Sequence, residues 1–119
     1  MARRLDRNNV AWGTAVQYVP EQDDPPEGFD WDLDKAMINR EKHRIGFRDA
    51  TLVFLDQMRV DRDSSRPEHD EARRRTTGTV HGRLMTVIYT VRGDHRRIIS
   101  ARRVRPNERR EYDQGQTLS

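Results

Sequence analysis

Residues 83–104 read Arg-Leu-Met-Thr-Val-Ile-Tyr-Thr-Val-Arg-Gly-Asp-His-Arg-Arg-Ile-Ile-Ser-Ala-Arg-Arg-Val, and this stretch decides the fold class. Its first half, 83–91, carries β-forming residues on both faces: Met85, Val87 and Tyr89 on one, Leu84, Thr86 and Ile88 on the other. Gly93-Asp94 turns the chain, and 95–104 returns with an apolar centre, 98–101, between arginine-rich ends. Two such strands joined by a tight turn predict the middle of an antiparallel sheet. Upstream, 73–79 fits a third, unusually polar strand joined through a turn at His81-Gly82, and 57–61 a weak fourth. A polar loop with Ser64, Ser65 and Pro67 occupies 63–69.

The flanks read as helices. Asp32 can cap a helix whose Leu33, Ala36, Met37 and Arg40 share a face, with Asp34 in its favourable first turn. Gly46 interrupts it, and 47–55 gives a second helix with Phe47, Ala50, Val53 and Phe54 on its apolar side. Before them, Phe29 and Trp31 alternate with acids as in a short strand. After the hairpin, Pro106 opens a closing helix over 107–113, with Gly115 as its stop. The order is β-α-α-β-β-β-β-α. This predicts an α+β domain: an antiparallel sheet with two N-terminal helices packed on one face and a short C-terminal helix. The expected organisation is a flexible extension or linker over 1–28, a folded domain over 29–115 and a tail over 116–119. Within the extension, Val16, Tyr18 and Val19 offer a short edge strand or a docking strip, ended by Pro20.

Composition narrows the chemistry. The 119 residues suit one small domain, 33% apolar and 36% charged. The longest apolar runs, 51–55 and 85–91, fall well short of the ~18–20 residues of a membrane span. No apolar segment follows Arg3, Arg4 and Arg7 as a secretory signal requires, so the expected compartment is the cytosol. Cysteine is absent, which excludes disulfides and thiolate chemistry. Four histidines, His43, His69, His81 and His95, stand at no ligand spacing, so neither a metal nor another cofactor is expected. No glycine-rich phosphate loop or Gly-x-Ser-x-Gly elbow occurs.

Charge is segregated. Residues 21–34 hold seven acids and no base; residues 73–110 hold twelve arginines and two acids. Arginine supplies 21 of the 23 basic residues, with Lys35 and Lys42 the only lysines. A basic half points to a polyanionic partner, and arginine binds phosphate bidentately. Strict alternation in 95–104 puts Arg96, Ile98, Ser100 and Arg102 on one face and Arg97, Ile99, Ala101 and Arg103 on the other. With Ile99 and Ala101 as the core set, Ser100 and Arg102 face outward, joined by Arg73 and Arg75 from the neighbouring strand. Such a face suits a phosphodiester whose charge rises in the transition state. The other reading is a solubilising face paired with the acidic half. The acidic run 21–34 can also lie over that basic face.

Two motifs carry a family resemblance. The run Phe29-Asp30-Trp31-Asp32, Lys35-Ala36, Asn39, Lys42-His43 and Phe47 resembles the start of the BrnT toxin family. Arg97-Ile98-Ile99-Ser100-Ala101-Arg102-Arg103, with Glu108-Arg109 and Tyr112, resembles its end. Glu71, Arg73, Gly78, Gly82-Arg83-Leu84 and Arg92-Gly93-Asp94 fit between, so the resemblance covers about 29–113. It implies a RelE-like fold and a toxin of a type II toxin–antitoxin system: a metal-independent endoribonuclease that slows translation. The implied chemistry is attack of a ribose 2′-OH on the adjacent phosphate, leaving a cyclic phosphate and a 5′-OH. The implied partner is a BrnA-like antitoxin whose ribbon-helix-helix part binds operator DNA, in a hetero-oligomer; operator DNA is met only through it.

Matched to the motifs, Arg73 and Arg102 become phosphate and transition-state stabilisers, Ser100 a hydrogen-bond donor and His43 a proton-transfer or positioning group. Lys42, Arg97 and Arg103 would hold RNA backbone. On this reading Arg102→Ala removes cleavage and leaves the fold intact. The chain departs from the pattern at Arg44, where a glycine usually follows the Lys-His pair, and at Gly46, where a serine usually precedes the phenylalanine. A turn needing positive φ is therefore expected to hold an arginine. The strand after Glu71 is polar where the family alternates apolar residues. These departures leave open a second reading, a catalytically degenerate module on the same fold that binds nucleic acid or antitoxin.

Overall fold

In a computed structural model, which describes residues 17–118 with side chains to 116, the two central strands pair as a hairpin. Strands β4 (Arg83–Arg92) and β5 (His95–Arg103) lie antiparallel, and β3 (Arg74–Val80) and β2 (Val60–Asp63) follow on the far side of β4. The fifth strand corrects the all-antiparallel expectation. β1 (Phe29–Asp30) runs parallel to β5, giving a mixed sheet of order β1-β5-β4-β3-β2. Only two residue pairs define it, Phe29 with Arg96 and Asp30 with Arg97, and the Asp30 carboxylate accepts from the Arg97 guanidinium. The alternation of Phe29 and Trp31 with acids marks the strand, but a pairing that short leaves its parallel direction without a trace in sequence.

A bulge corrects the inward set of β5. Ile88 pairs with Ser100 but Tyr89 pairs with Ile98, so Ile99 is the extra residue. Strict alternation fails there. Ile98 and Ala101, three apart, both turn inward and are 2% and 0% exposed, whereas Ile99 turns to the outer face with Ser100 and Arg102.

The inner face is covered by α2 (Leu33–His43), by the one-turn α3 (Phe47–Ala50) and by its 3-10 continuation, Thr51–Leu55. Asp32 caps α2 by accepting from the Lys35 amide at 3.0 Å. Ala36, Phe47, Ala50 and Val53 join Val87, Ile98 and Ala101 in the core. Phe47 is fully buried, stabilising the fold by about 2–3 kcal/mol through apolar area alone, and Trp31 stands edge-on to it with centroids 5.6 Å apart. Asn39, also buried, takes the place of a strand neighbour. Its amide donates to the Ala101 carbonyl at 2.9 Å and its oxygen accepts from the Ala101 amide at 3.1 Å. β1 is too short to reach Ala101, so these two bonds satisfy backbone that would otherwise be orphaned. They also fix the backbone between Ser100 and Arg102.

The N-terminal boundary lies earlier than composition suggests. Residues 1–16, including Val16 of the proposed docking strip, lie outside the described residues. Tyr18 and Val19 form no strand; Val19 caps a short helix, α1 (Pro20–Asp23). That helix is held by Asp23, 3% exposed, which pairs with Arg40 and whose carbonyl accepts from the Trp31 indole at 2.9 Å. Gln22 lies over Gly46, where any Cβ would clash with it, and its Oε1 accepts from the Asp49 amide at 3.2 Å. Gln22 thereby supplies the cap of α3 that Gly46 cannot. The acidic run 21–34 thus packs on the helix side; among the described residues only Asp30 reaches a sheet arginine.

The C-terminal boundary moves too. Helix α4 spans Pro106–Leu118, so Gly115 does not stop it and 116–118 are helix, not tail. A glycine costs about 1 kcal/mol in a helix interior, and the contacts of α4 with β2, β3 and Asp56 offset it. Tyr112, for example, donates to Asp56 at 2.7 Å.

Arg44 ends α2 in the left-handed region, at φ 60° and ψ 29°, with its amide donating to the Arg40 carbonyl at 2.9 Å. A β-carbon there costs about 1–2 kcal/mol, offset in part by the unfolded-state entropy that glycine adds. Arg44→Gly should therefore stabilise the protein by roughly 0.5–1 kcal/mol, read as a melting temperature a few degrees higher. A lowered melting temperature would refute this account of the cap.

Candidate active site

The outer face carries an open groove of about 510 Å³ at the β2–β3 end of the sheet, and most of its lining is basic. Arg73 and Arg75 contribute from the start of β3, Ser100 and Arg102 from β5, Arg66 and His69 from the loop before β3, and Arg105 from the entry to α4. Three predicted residues, Arg73, Ser100 and Arg102, are thus brought together. His43 is not. It lies at the end of α2 and lines a different cleft, about 360 Å³, with Arg103 and Met85. Burial holds the His43 imidazole below its ordinary range, and the charges of Lys42 and Arg102 add to this, so its neutral form is favoured. Lys42 is exposed on α2. Arg97 is committed to Asp30 at the β1 edge, away from the groove lining.

The floor of the groove is organised by Glu108, which no sequence signal marked as a site residue. It sits in the first turn of α4 and is 0% exposed. Its carboxylate accepts from both terminal nitrogens of Arg102 at 2.8 Å, from Arg75 at 3.1 Å, from Thr86 at 2.8 Å and from the Arg105 amide at 2.9 Å. Burial works to raise its pKa. The bonds from Arg102, the Arg105 amide and Thr86 override that and hold it at about 2. The helix-start signal of Pro106 followed by Glu two residues on identifies a cap, and the Arg105 amide bond is that cap. Nothing in the sequence shows that the same carboxylate gathers two arginines from two strands.

The arginines of the groove therefore differ. Arg102 has five N–H donors. Two are used on Glu108 and one on the Arg103 carbonyl, leaving two for a ligand. Arg75 is divided between Glu108 and Glu111. Arg73 is different: among the described residues its guanidinium makes no hydrogen bond, and its one ion pair, with Glu71, is loose at 3.7 Å. Among the described residues, Arg73 Nε is the buried side-chain polar atom that lacks a partner. Such an atom is rare, because leaving a charged donor unbonded costs more than leaving a neutral one. His69 is the groove's imidazole; its Nδ1 accepts from the Arg66 amide at 3.3 Å. Sequence reasoning missed it, with Arg66 and Arg105, because an aperiodic loop gives no face on which to place a side chain.

The groove can bind an anion with several arginine forks and a hydroxyl donor, and it offers an imidazole for proton transfer. Among the described residues no three His, Asp or Glu side chains are grouped to hold a metal ion, and no helix is long and apolar enough to cross a membrane. Compared with known families, residues 31–108 match the model described as ribonuclease toxin, BrnT, of type II toxin-antitoxin system. No curated protein matches the chain.

Proposed function

Because this chain belongs to the BrnT family of type II ribonuclease toxins, we propose that the arginine groove cleaves RNA without a metal and so slows translation in the cytosol. The observation that carries the proposal is Arg73, whose guanidinium makes no hydrogen bond among the described residues, in a groove where Glu108 already orients Arg75 and Arg102. A phosphodiester satisfies it. In the reaction a ribose 2′-OH attacks the adjacent phosphorus, the 5′-oxygen of the next nucleotide leaves, and the products are a 2′,3′-cyclic phosphate and a 5′-OH. Negative charge builds on the non-bridging oxygens. Arg73, the two remaining donors of Arg102 and the Ser100 hydroxyl meet that charge. The Glu108 carboxylate keeps Arg102 aimed and does not touch substrate. The expected partner is a BrnA-like antitoxin with a ribbon-helix-helix part, and operator DNA is bound only through that partner.

A binding-only module is the competing reading, favoured by the commitment of Arg75 and Arg102 to Glu108. Turnover separates the two. Purified protein in EDTA should cut a single-stranded RNA, leave 5′-OH ends, and leave the same strand intact when every ribose is 2′-deoxy. Binding of the RNA without cleavage, by folded protein, would establish the module instead.

A further inference from the structure

Two non-glycine residues with positive φ occur among the described residues, Arg44 at 60° and His81 at 51°, and both line the cleft that holds His43. His81 and Gly82, both with positive φ, form the two-residue turn between β3 and β4. Glycine or asparagine would sit in either position with less strain. Strain gathered at one place points to side chains kept for what they touch.

The cleft has a floor of Ile45, Val80, Leu84 and Met85 under a rim of Arg44, Arg83, Arg103 and the two imidazoles. One carboxylate, Asp49, stands on that rim, 3.6 Å from His81. The rim arginines differ from Arg73, Arg75 and Arg102 of the groove: Arg44, Arg83 and Arg103 have no carboxylate within ion-pair distance among the described residues, and neither do Arg105 and Arg109. These five form one strip. Arg105 lines both the groove and a shallow depression around Gly82 and Pro106; Arg83 and Arg103 line both that depression and the cleft. Unpaired cations release counterions when they meet phosphate, whereas paired ones must first give up a carboxylate. An apolar floor beside imidazoles suits the face of a nucleobase.

We infer that this strip is a second RNA subsite, where the strand leaving the groove passes Arg105 and Arg103 around the end of the sheet and places a base in the Arg44–His81 cleft. The inference rests on RNA being what the groove takes. An acidic protein segment is the other polyanion that fits the charge, but it does not call for continuity with the groove, which a strand leaving that groove does.

The test is fluorescence anisotropy of the full chain with a labelled 12-nucleotide RNA, 2′-O-methylated throughout so that it cannot be cut. Arg44→Gly should weaken binding about 3- to 10-fold while the melting temperature rises, which separates affinity from stability. Adding Arg83→Ala and Arg109→Ala should bring the loss to about 30- to 100-fold. It should also flatten the salt dependence by about 2 log units per log unit, at ~0.7 for each phosphate that is no longer neutralised. Arg62→Ala, an exposed arginine paired with Glu111 off the strip, should bind as wild type. Wild-type affinity in the triple variant overturns the inference, as does loss of binding to polyglutamate with RNA binding retained. Strip-dependent binding by a chain that leaves unmodified RNA whole upholds the strip and overturns the nuclease.

Discussion

Replacing Glu108 by Gln should cost on the order of 3 kcal/mol of stability and lower the melting temperature by roughly 10–20 °C. The side chain is fully buried, with donors from Arg75, Arg102, Thr86 and the Arg105 amide converging on its two oxygens. A neutral amide keeps the volume but loses the charge and turns one acceptor into a donor facing guanidinium. Arg75 and Arg102 are only about a fifth exposed, so water restores little of what they lose. The same group predicts a pH dependence. Its carboxyl is held at about 2 against an ordinary 4.5, so folding favours the ionised form. The stabilisation is complete above pH ~4.5 and is lost as pH falls from there towards 2, a total of roughly 3 kcal/mol at 1.36 per unit. Other carboxylates, Asp56, Asp61 and Glu71, also titrate below their usual range, so wild-type acid sensitivity alone is not diagnostic. The difference between wild type and Glu108→Gln is diagnostic: in urea titrations it should shrink from about 3 kcal/mol at pH 7 towards zero near pH 2. Parallel profiles would remove Glu108 from the centre of the groove.

The contrast between Glu108 and its surroundings shows what sequence can carry. The hairpin over 83–104 is readable because strand periodicity and turn chemistry are local, and the order of elements follows from it. The inward set of β5 is not, because one bulged residue, Ile99, shifts the alternation and only the pairing with β4 reveals it. β1 is legible as a strand but not as a parallel partner, since Gly28 to Asp30 meets Arg96 and Arg97 through two residue pairs across a long separation. The acidic 21–28 segment reads as linker because its composition is polar. Its order comes from single interactions, such as Asp23 with Arg40 and Gln22 with Asp49, that no average registers. At the site, the outward placement of Ser100 and Arg102 is correct although the partition behind it is not, because the bulge moves Ile98 inward and leaves the residues on its far side in place. His43 belongs to the site only by the resemblance, and the chain's own geometry puts it across the end of the sheet from Arg73. Arg44 is a further case of that kind: its left-handed position is expected only because the family it resembles carries glycine there, and the arginine itself gives no sign of it.

That division bears on which arginine tests catalysis. Arg102→Ala, the substitution that the strand pattern recommends, should abolish cleavage, but it also strips the buried Glu108 carboxylate of its two shortest guanidinium bonds. A loss of activity would then be shared between chemistry and folding, against the expectation that the fold stays intact. Arg73→Ala is free of this difficulty. Among the described residues its guanidinium makes no hydrogen bond, so its loss removes a buried unbonded Nε and only the loose 3.7 Å ion pair with Glu71, and the melting temperature should stay within about 2 °C of wild type. Glu71 keeps its bond from Arg92 at 2.9 Å in that variant, so no carboxylate is orphaned. Cleavage of a fluorogenic RNA should nevertheless fall about 10²- to 10³-fold in kcat, the usual effect of removing one donor aimed at developing oxyanion charge, with a smaller change in KM. Arg73→Lys should recover part of the rate, because a point charge reaches the phosphate without the two-pronged fit of guanidinium. Wild-type turnover in Arg73→Ala would mean that the unbonded guanidinium serves neither phosphate nor transition state. A rise in KM alone, with kcat kept, would make Arg73 a docking residue and leave the transition-state charge to Arg102 and Ser100.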